Sequence, residues 1–320
     1  MSADTRRRAW ALLSRAAWGP CRPLLRLIAE VSVEQAAAAV AAGDVPIAID
    51  RRVLERGSSF DATARDLERL DRLGGRLITP DDDEWPTDLL RAFDTGCDDA
   101  EFVAPVALWA RGPLSLRAAT GQAMAVIGAR ASTYYGDRVT RELTTELAVR
   151  GWTIVSGAAF GIDGIAHRAA LAAGSATIAV LACGVDLAYP LGHARLLAQI
   201  AESGLVLSEY PLAATPHPQQ FLARNRLTAG LSAAVIATEA GLRSGTTNTV
   251  RWANQLQRPA LAVPGPVTSA ASAGCHRMIA DGRARLATCV EDVLDAVALS
   301  PTPSPGARNG GPLAAEGGVR

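Results

Sequence analysis

The sequence predicts an α/β protein in which a Rossmann-like, doubly wound and mostly parallel sheet follows a small helical N-terminal domain. From residue 121 to residue 298, short apolar runs alternate with helical patterns. Repeating β-α units of this kind form a parallel sheet with right-handed crossovers and helices on both faces. The first 75 residues contain helical patterns alone. The change of pattern therefore separates a helical segment from a sheet-forming one.

We predict four segments along the 320 residues. Residues 1–75 form the helical domain, residues 76–120 a connecting extension that packs on the sheet, and residues 121–298 the Rossmann-like domain. Residues 299–320 are rich in Pro and Gly and are predicted to be disordered. The predicted helices of the first segment cover residues 6–14, 24–30, 33–42 and 61–73. Joined by Gly-containing turns, they indicate either a helix-hairpin-helix module that contacts DNA backbone or a small packing domain.

The connecting extension contains one predicted strand and one acidic run. Residues 106–109 are apolar and predict a short strand that joins the main sheet. Residues 81–84 are all acidic but lack the Asn and Gly pattern of a calcium-binding loop. We therefore expect the acidic run to be a solvated turn.

Composition argues against several classes of protein. The formal net charge is +0, so no global positive field favours a nucleic-acid partner, and lysine is absent, so every basic contact must come from Arg or His. Five scattered cysteines without a C-x-x-C pair indicate a reducing compartment. The N-terminal apolar stretch is interrupted by Arg15 and is too short for a signal or membrane segment. We therefore expect a cytoplasmic protein with no membrane contact.

The first strand of the Rossmann-like segment ends in a glycine loop. Apolar residues 124–127 lead into Gly128-Ala129-Arg130, and a helical pattern begins near Asp137. In doubly wound folds such a loop lets the backbone approach a ligand, and the helix N-terminus favours an anion. The spacing is not G-x-G-x-x-G, which disfavours a dinucleotide. The loop therefore predicts either a phosphate site or a structural turn.

Five further strands are predicted to end at the same edge of the sheet, where ligands bind in this fold class. They cover residues 153–156, 177–181, 205–208, 234–238 and 260–263, with helices over residues 137–150, 162–173, 193–201, 220–229 and 246–257. Gly157 and Gly161 follow the first of these strands, and Ser244, Gly245 and Thr246 follow the fourth. Small residues leave room for an extended ligand. The Ser244–Thr246 cluster predicts either phosphate contacts or an ordinary helix N-cap.

Arginines predict a local basic pocket in this neutral chain. Arg224 and Arg226 flank Asn225 at the start of a helix. The topology brings other arginines near them: Arg130, Arg243 and Arg251. Guanidinium groups suit phosphate recognition. The alternative for Arg224 and Arg226 is a surface ion pair with Glu209 or Glu239, and of the two we favour phosphate contacts.

Asp163 and His167 form the one candidate acid–base pair, at i and i+4 on one helix face. The chain has no G-x-S-x-G nucleophile motif, and its four histidines lack the spacing of a metal site. We therefore expect Asp163 to cap its helix and His167 to be a packed, hydrogen-bonded core residue. No catalytic residue, metal or cofactor is expected.

Several motifs occur in order between residues 78 and 286, among them VIGAR, SGAAFGIDGIAH, LACGVDLAYP, FLARNRLTAGLS and EAGLRSGT. With these motifs the chain resembles the DNA-processing protein A (DprA, or Smf) family. The resemblance implies a non-enzymatic protein that binds single-stranded DNA without sequence preference, protects incoming DNA and loads the RecA recombinase during natural transformation. It also implies a homodimer, with residues 252–289 as the candidate face, and a SAM-like helical N-terminal module.

The resemblance assigns roles to particular residues. Gly128 and Arg130 match the G-[ST]-R phosphate loop of the family, although Ala129 stands between them. The R-N-R motif of the family matches Arg224-Asn225-Arg226, and Phe221 matches the aromatic residue that precedes it. These arginines would hold successive phosphates, and Phe221 either stacks on a base or packs.

The chain departs from the family pattern at several positions. Relatives often have Lys where Leu191 stands and a basic residue where Pro218-Gln219 stands, and Gly274-Cys275-His276 replaces a Gly-x-Asn pair. Each lost phosphate contact weakens the salt-dependent affinity, and Arg195 or Arg243 is the candidate to compensate. The winged helix that many relatives carry at the C-terminus is expected to be absent.

Two other functions stay open. Nucleotide phosphoribohydrolases of the lysine decarboxylase-like group share the fold, but their P-G-G-x-G-T-x-x-E signature is incomplete here. A protein-binding scaffold without DNA affinity is the second alternative, and the missing Lys positions motivate it.

Overall fold

A nine-stranded sheet forms the centre of the computed structural model, which describes residues 3–46, 49, 53, 60–94 and 99–300. In chain order the strands are β1 (Gly75–Ile78), β2 (Leu108–Arg111), β3 (Ala123–Gly128), β4 (Thr153–Ser156), β5 (Thr177–Leu181), β6 (Leu205–Ser208), β7 (Ala234–Glu239), β8 (Ala260–Ala262) and β9 (Arg285–Leu286). Across the sheet their order is β1-β2-β6-β5-β4-β3-β7-β8-β9. Across the sheet from β6 to β9, every pair of neighbouring strands is parallel. β2 pairs antiparallel with both of its neighbours, β1 and β6. The predicted fold class is confirmed.

Helices cover both faces of the sheet. In chain order they are α1 (Ala3–Ala17), α2 (Arg22–Glu30), α3 (Val33–Ala42), α4 (Phe60–Arg72), α5 (Thr87–Leu90), α6 (Leu116–Thr120), α7 (Tyr134–Val149), α8 (Ile162–Ala172), α9 (Ala194–Ser203), α10 (Pro218–Gly230), α11 (Thr246–Gln255), α12 (Ala273–Ala280) and α13 (Val290–Ala298). The chain runs outward from β3 through β4, β5 and β6, and then crosses to β7 on the other side of β3. This reversal between β3 and β7 creates the crevice in which doubly wound proteins bind ligands.

Most of the predicted elements form where the apolar pattern placed them. Strands β4, β5 and β6 have the predicted bounds, because they are buried on both faces and therefore read as unbroken apolar runs. The strand predicted over residues 106–109 forms two residues later as β2. Six elements of the described chain were not predicted: β1, β9, α5, α6, α12 and α13.

The N-terminal helices pack directly on the sheet. Residues of α1, α3 and α4 share one hydrophobic cluster with β2, β5 and β6. Within it, the indole N–H of Trp109 donates to the Ser14 hydroxyl at 3.0 Å. The division between residues 75 and 76 stays a prediction, and residues 301–320 of the predicted disordered tail lie outside the described residues.

The acidic run is held by arginines. Asp81 accepts a hydrogen bond from Arg6 at 2.6 Å, and Glu84 accepts one from Arg76 at 2.6 Å. Among the described residues, no group of three or more His, Cys, Asp or Glu side chains is placed to hold a metal ion. No helix in the described part of the chain is long and apolar enough to cross a membrane.

Candidate anion-binding site

A cavity of about 590 Å³ opens where β3, β4 and β7 end. The reversal of strand order lies here, as the fold class predicts. All of the predicted site residues except Gly161, Arg226 and Arg251 line it: Gly128, Arg130, Gly157, Phe221, Arg224, Asn225, Arg243, Ser244, Gly245 and Thr246. The topology has thus brought together residues that are more than 100 positions apart in the sequence.

The loop after β3 is fixed by Glu239, at the end of the neighbouring strand β7. The Ala129 N–H donates to the Glu239 carbonyl oxygen at 2.7 Å. The backbone N–H and the hydroxyl of Thr133 donate to the two Glu239 carboxylate oxygens at 2.8 and 2.6 Å. Glu239 therefore positions Arg130 by holding both ends of its loop. From the sequence, Glu239 is predicted only as an ion-pair partner, although an acid at the end of a strand beside a hydroxyl-rich loop signals a positioning role.

Gly161 supports the same loop from the other side. Its φ is +72°, and a Cβ at this position would lie 2.6 Å from the Arg130 carbonyl oxygen. The Ile162 N–H donates to the Ala129 carbonyl oxygen at 3.2 Å. Gly161 does not line the cavity, but only glycine combines this backbone conformation with so close an approach. Its contribution is to bring the turn before α8 against the Arg130 loop.

Two arginines of the cavity wall are available to an anion. Arg130 and Arg243 are exposed, and among the described residues neither has a carboxylate within ion-pair distance. By contrast, most of the ion pairs in the described part of the chain join an arginine elsewhere on the surface to an acidic side chain. The guanidinium carbon of Arg130 also lies 5.3 Å from the centre of the Phe221 ring. Of the two arginines predicted to compensate for the missing basic residues, Arg243 lines the cavity and Arg195 does not.

Arg224 forms the floor of the cavity. Its guanidinium donates to the Gly157 carbonyl oxygen at 2.8 Å and also to the Val180 carbonyl oxygen. The residue is 6% exposed, and burial lowers the pKa of its side chain. The lining Asp163 opposes that shift electrostatically. Arg224 thus ties the ends of β4 and β5 together beneath the space that a ligand would fill.

The predicted phosphate contact of Arg226 is wrong in this structure. Its side chain is 0% exposed and donates to both Glu209 carboxylate oxygens, at 2.8 and 2.6 Å, and to the Val103 carbonyl oxygen at 3.0 Å. Residues two apart on a helix face different directions, so Arg226 turns inward where Arg224 faces the cavity. The alternative pair with Glu209 is the one observed, but it is buried rather than on the surface.

Arg251 also lies elsewhere than the sequence predicted. It pairs with Asp99 at 2.9 Å, and its guanidinium carbon lies 4.3 Å from the centre of the Trp252 ring. It does not line the cavity.

Asn225, the middle residue of the R-N-R motif, lines the cavity and contacts α11. Its side-chain amide donates to the Asn248 side-chain oxygen at 3.1 Å.

The cluster at the start of α11 carries hydroxyls into the cavity. The Thr246 N–H donates to the Ser244 hydroxyl oxygen at 3.2 Å, and Gly245 is the N-cap residue, without a side-chain cap. The two hydroxyls of Ser244 and Thr246 lie 2.9 Å apart. The cluster therefore offers hydroxyl groups beside Arg243 instead of serving only as a side-chain cap.

Asp163 and His167 do not form an acid–base pair. Gly161, and not Asp163, is the N-cap residue of α8, and the Asp163 carboxylate accepts from the Ala159 N–H at 3.3 Å. Burial raises the pKa of Asp163. His167 is fully buried with its Nδ1 2.7 Å from the Thr177 hydroxyl, and burial lowers its pKa to about 3. The prediction that His167 is a hydrogen-bonded core residue is confirmed.

Comparisons with known proteins agree with the motifs. The family described as DNA recombination-mediator protein A matches residues 76–298. The DNA processing protein DprA of Mycobacterium tuberculosis is 47% identical over 296 residues, which cover 92% of this chain and 76% of that protein. That of Streptococcus pneumoniae is 41% identical over 217 residues, 67% of this chain and 71% of that protein.

Solved structures show the same similarity. The crystal structure of DprA from Streptococcus pneumoniae superposes with a TM-score of 0.73 at 32% identity, and the match covers 89% of this chain and 95% of that one. A DprA structure from Helicobacter pylori, reported for its mode of binding single-stranded DNA, gives a TM-score of 0.57 at 34% identity over 65% of this chain and 92% of that one. The chain therefore belongs to the DNA recombination-mediator protein A (DprA/Smf) family.

Proposed function

We propose that this protein binds single-stranded DNA independently of its sequence, through phosphates held in the cavity at the ends of β3, β4 and β7. The observation that carries the proposal is the pair of exposed guanidinium groups of Arg130 and Arg243 on the described walls of that cavity, neither of which has a described carboxylate within ion-pair distance. Family membership supports it, since a relative from Helicobacter pylori is reported to bind single-stranded DNA.

The charge distribution of the cavity favours an anion. Asp163 is the only acidic side chain among the described residues that line it, and Asp163 faces the positive charge of Arg224 at the floor. The remaining polar lining consists of hydroxyl, amide and backbone groups. A phosphate that enters therefore meets two free arginines and no uncompensated carboxylate.

Contacts of this kind explain binding without sequence preference. Phosphate oxygens are identical along a strand, so guanidinium groups that bind them carry no information about the bases. Phe221 lies on the same wall, with its ring centre 5.5 Å from that of Tyr189, and its position suits contact with an unpaired base. Duplex DNA keeps its bases stacked inside and therefore has no unpaired base for this contact with Phe221.

We propose further that the bound strand is passed to the RecA recombinase during natural transformation, in the cytoplasm and by a homodimer of this chain. Family membership supports this assignment. No chemical step is proposed, because the candidate pair Asp163 and His167 is buried and occupied by structural hydrogen bonds. Release of base from a nucleoside monophosphate would favour the phosphoribohydrolase alternative instead.

Binding of fluorescent oligo-dT, measured by anisotropy at low salt, tests the proposal. We expect tight binding to the single strand, competition by unlabelled single strands of any sequence, and weak competition by duplex. Faster RecA filament formation on the same strand would support the transfer step. Absence of oligo-dT binding at low salt would contradict the proposal and favour the protein-binding scaffold.

A further inference from the structure

A second, smaller cleft adjoins the cavity and has aromatic walls. Phe160, Tyr189 and Phe221 line it together with Pro190 and the guanidinium of Arg130. Phe160 is 50% exposed and Tyr189 is 42% exposed. Neither the Phe160 ring nor the Tyr189 ring has a role in the phosphate contacts described above. We call the surface formed by Phe160 and Tyr189 the aromatic shelf.

The shelf is continuous with the anion cavity. Arg130, Gly157, Ala159 and Phe221 line both spaces, so the two share one wall. A strand that places a phosphate at Arg130 therefore has its neighbouring base within reach of the shelf. Arg130 is the only charged side chain among the described residues that line the cleft. An apolar cleft without an acid suits the flat face of a nucleobase.

One side of Phe160 packs against its neighbours. It precedes Gly161, whose close approach to the Arg130 carbonyl oxygen presses this turn against the phosphate loop. The Phe160 ring meets the His193 ring edge to face, with the ring centres 4.8 Å apart. His193 is itself buried, and its Nδ1 lies 3.0 Å from the Ala158 carbonyl oxygen. One edge of the Phe160 ring is thus packed against a buried, hydrogen-bonded histidine.

The Phe160 ring also packs on the backbone of Gly192. A Cβ on Gly192 would lie 3.1 Å from two carbon atoms of the Phe160 ring, so the ring rests on the bare glycine backbone. Half of the Phe160 side chain nevertheless stays open to solvent. An aromatic ring that is packed on one side and open on the other is the geometry on which unpaired bases stack.

We infer that the aromatic shelf is a base-stacking subsite, in which Phe160 and Tyr189 receive an unpaired nucleobase of the strand whose phosphate is bound at Arg130. The inference rests on the proposed function and deepens it, because it adds an attachment point for bases beyond Phe221. Stacking accepts every base, so the subsite adds affinity for single strands without adding sequence preference.

The test compares oligo-dT with an abasic strand of the same length, which keeps the phosphates and lacks the bases. Phe160→Ala is expected to weaken oligo-dT binding about 5- to 100-fold, the usual range for loss of one stacked base. Binding of the abasic strand is expected to stay within about twofold of wild type. Phe160→Tyr restores oligo-dT binding. Phe60→Ala, at an exposed aromatic residue of α4 that is 48% exposed, serves as the matched control and leaves both affinities unchanged.

Phe160→Leu keeps an apolar side chain on Gly192 and His193 and covers the case in which the alanine variant does not fold. We expect it to lose oligo-dT affinity selectively as well. Equal affinity of the Leu variant and wild type for oligo-dT would overturn the inference. Equal weakening of both strands would also overturn it, because Phe160 would then act through the phosphate loop. A wild-type protein that binds neither strand would overturn the proposed function itself.

Discussion

Replacement of Arg226 by Met is expected to destabilise the fold and to leave phosphate binding intact. The Arg226 and Glu209 side chains are 0% and 3% exposed, and they share two hydrogen bonds of 2.8 and 2.6 Å. Arg226→Met leaves the Glu209 carboxylate buried without its counter-ion. Loss of one partner of such a pair costs about 3–5 kcal/mol, which is a large part of the stability of an ordinary domain.

The double variant Arg226→Met/Glu209→Met separates the cost of losing the whole ion pair from the cost of leaving one charge buried without its partner. Removal of both charges is close to neutral where apolar side chains fill the space. The Val103 carbonyl oxygen, which accepts from Arg226 at 3.0 Å, still loses its donor, at a cost of about 1–3 kcal/mol. We therefore expect the double variant to be more stable than Arg226→Met alone, although it carries one more substitution.

Urea unfolding followed by circular dichroism measures both variants, and oligo-dT anisotropy is recorded under conditions in which each is folded. Folded Arg226→Met is expected to bind oligo-dT within about threefold of wild type, since its guanidinium does not reach the cavity. The reasoning is refuted if Arg226→Met unfolds like wild type and loses DNA affinity. Arg226 would then be a phosphate contact, as the sequence motif alone suggests.

Two further predictions concern the loop after β3 and the buried histidine. Thr133 donates two hydrogen bonds to the Glu239 carboxylate, and the amide of Glu239→Gln offers only one acceptor oxygen in its place. The Arg130 loop is therefore expected to loosen, and the affinity for oligo-dT, measured by anisotropy, to fall about tenfold. Burial lowers the pKa of His167 to about 3, whereas an unfolded histidine titrates near 6.5. The unfolded state therefore binds the proton first as the pH falls, and His167 contributes a loss of about 2 kcal/mol of unfolding free energy between pH 7.5 and pH 5. His167→Asn keeps a donor for Thr177 and removes this part of the pH dependence in urea unfolding.

For each of these predictions, one experimental outcome would contradict it. Unchanged oligo-dT affinity in Glu239→Gln would show that the loop does not depend on Glu239. For the histidine, the same pH dependence of unfolding in wild type and in His167→Asn would show that His167 is not the group that titrates.

The sheet was predictable because its central strands are buried on both faces. β5 and β6 are uniformly buried, so each appears in the sequence as a run of apolar residues with clear ends. β9 consists of two exposed residues and carries no such signal. The edge strand β1 begins at a glycine and is half-exposed at its start, so its pattern is equally weak.

The site was predictable as a place and only partly as a set of contacts. The rule that strands of a parallel sheet end at one edge brought Arg130, Gly157 and Ser244 together correctly. A sequence motif does not show which of its side chains are buried. The R-N-R motif therefore predicts a phosphate contact for Arg226, whereas in the structure Arg226 pairs with Glu209 in the interior. The helical spacing of Arg224 and Arg226 was the physical signal that both could not face the same cavity.

The salt dependence of oligo-dT binding tests the central claim most directly, with wild type compared to Arg130→Ala. Each phosphate contact that is lost reduces the slope of log affinity against log salt concentration by about 0.7 for single strands. We predict that reduction in Arg130→Ala, with weaker binding and unchanged stability, because Arg130 is exposed and has no ion pair among the described residues. Arg117→Ala is the control, since Arg117 is also exposed but precedes β3 at the opposite edge of the sheet. An unchanged slope in Arg130→Ala would contradict the claim that this cavity holds the DNA backbone.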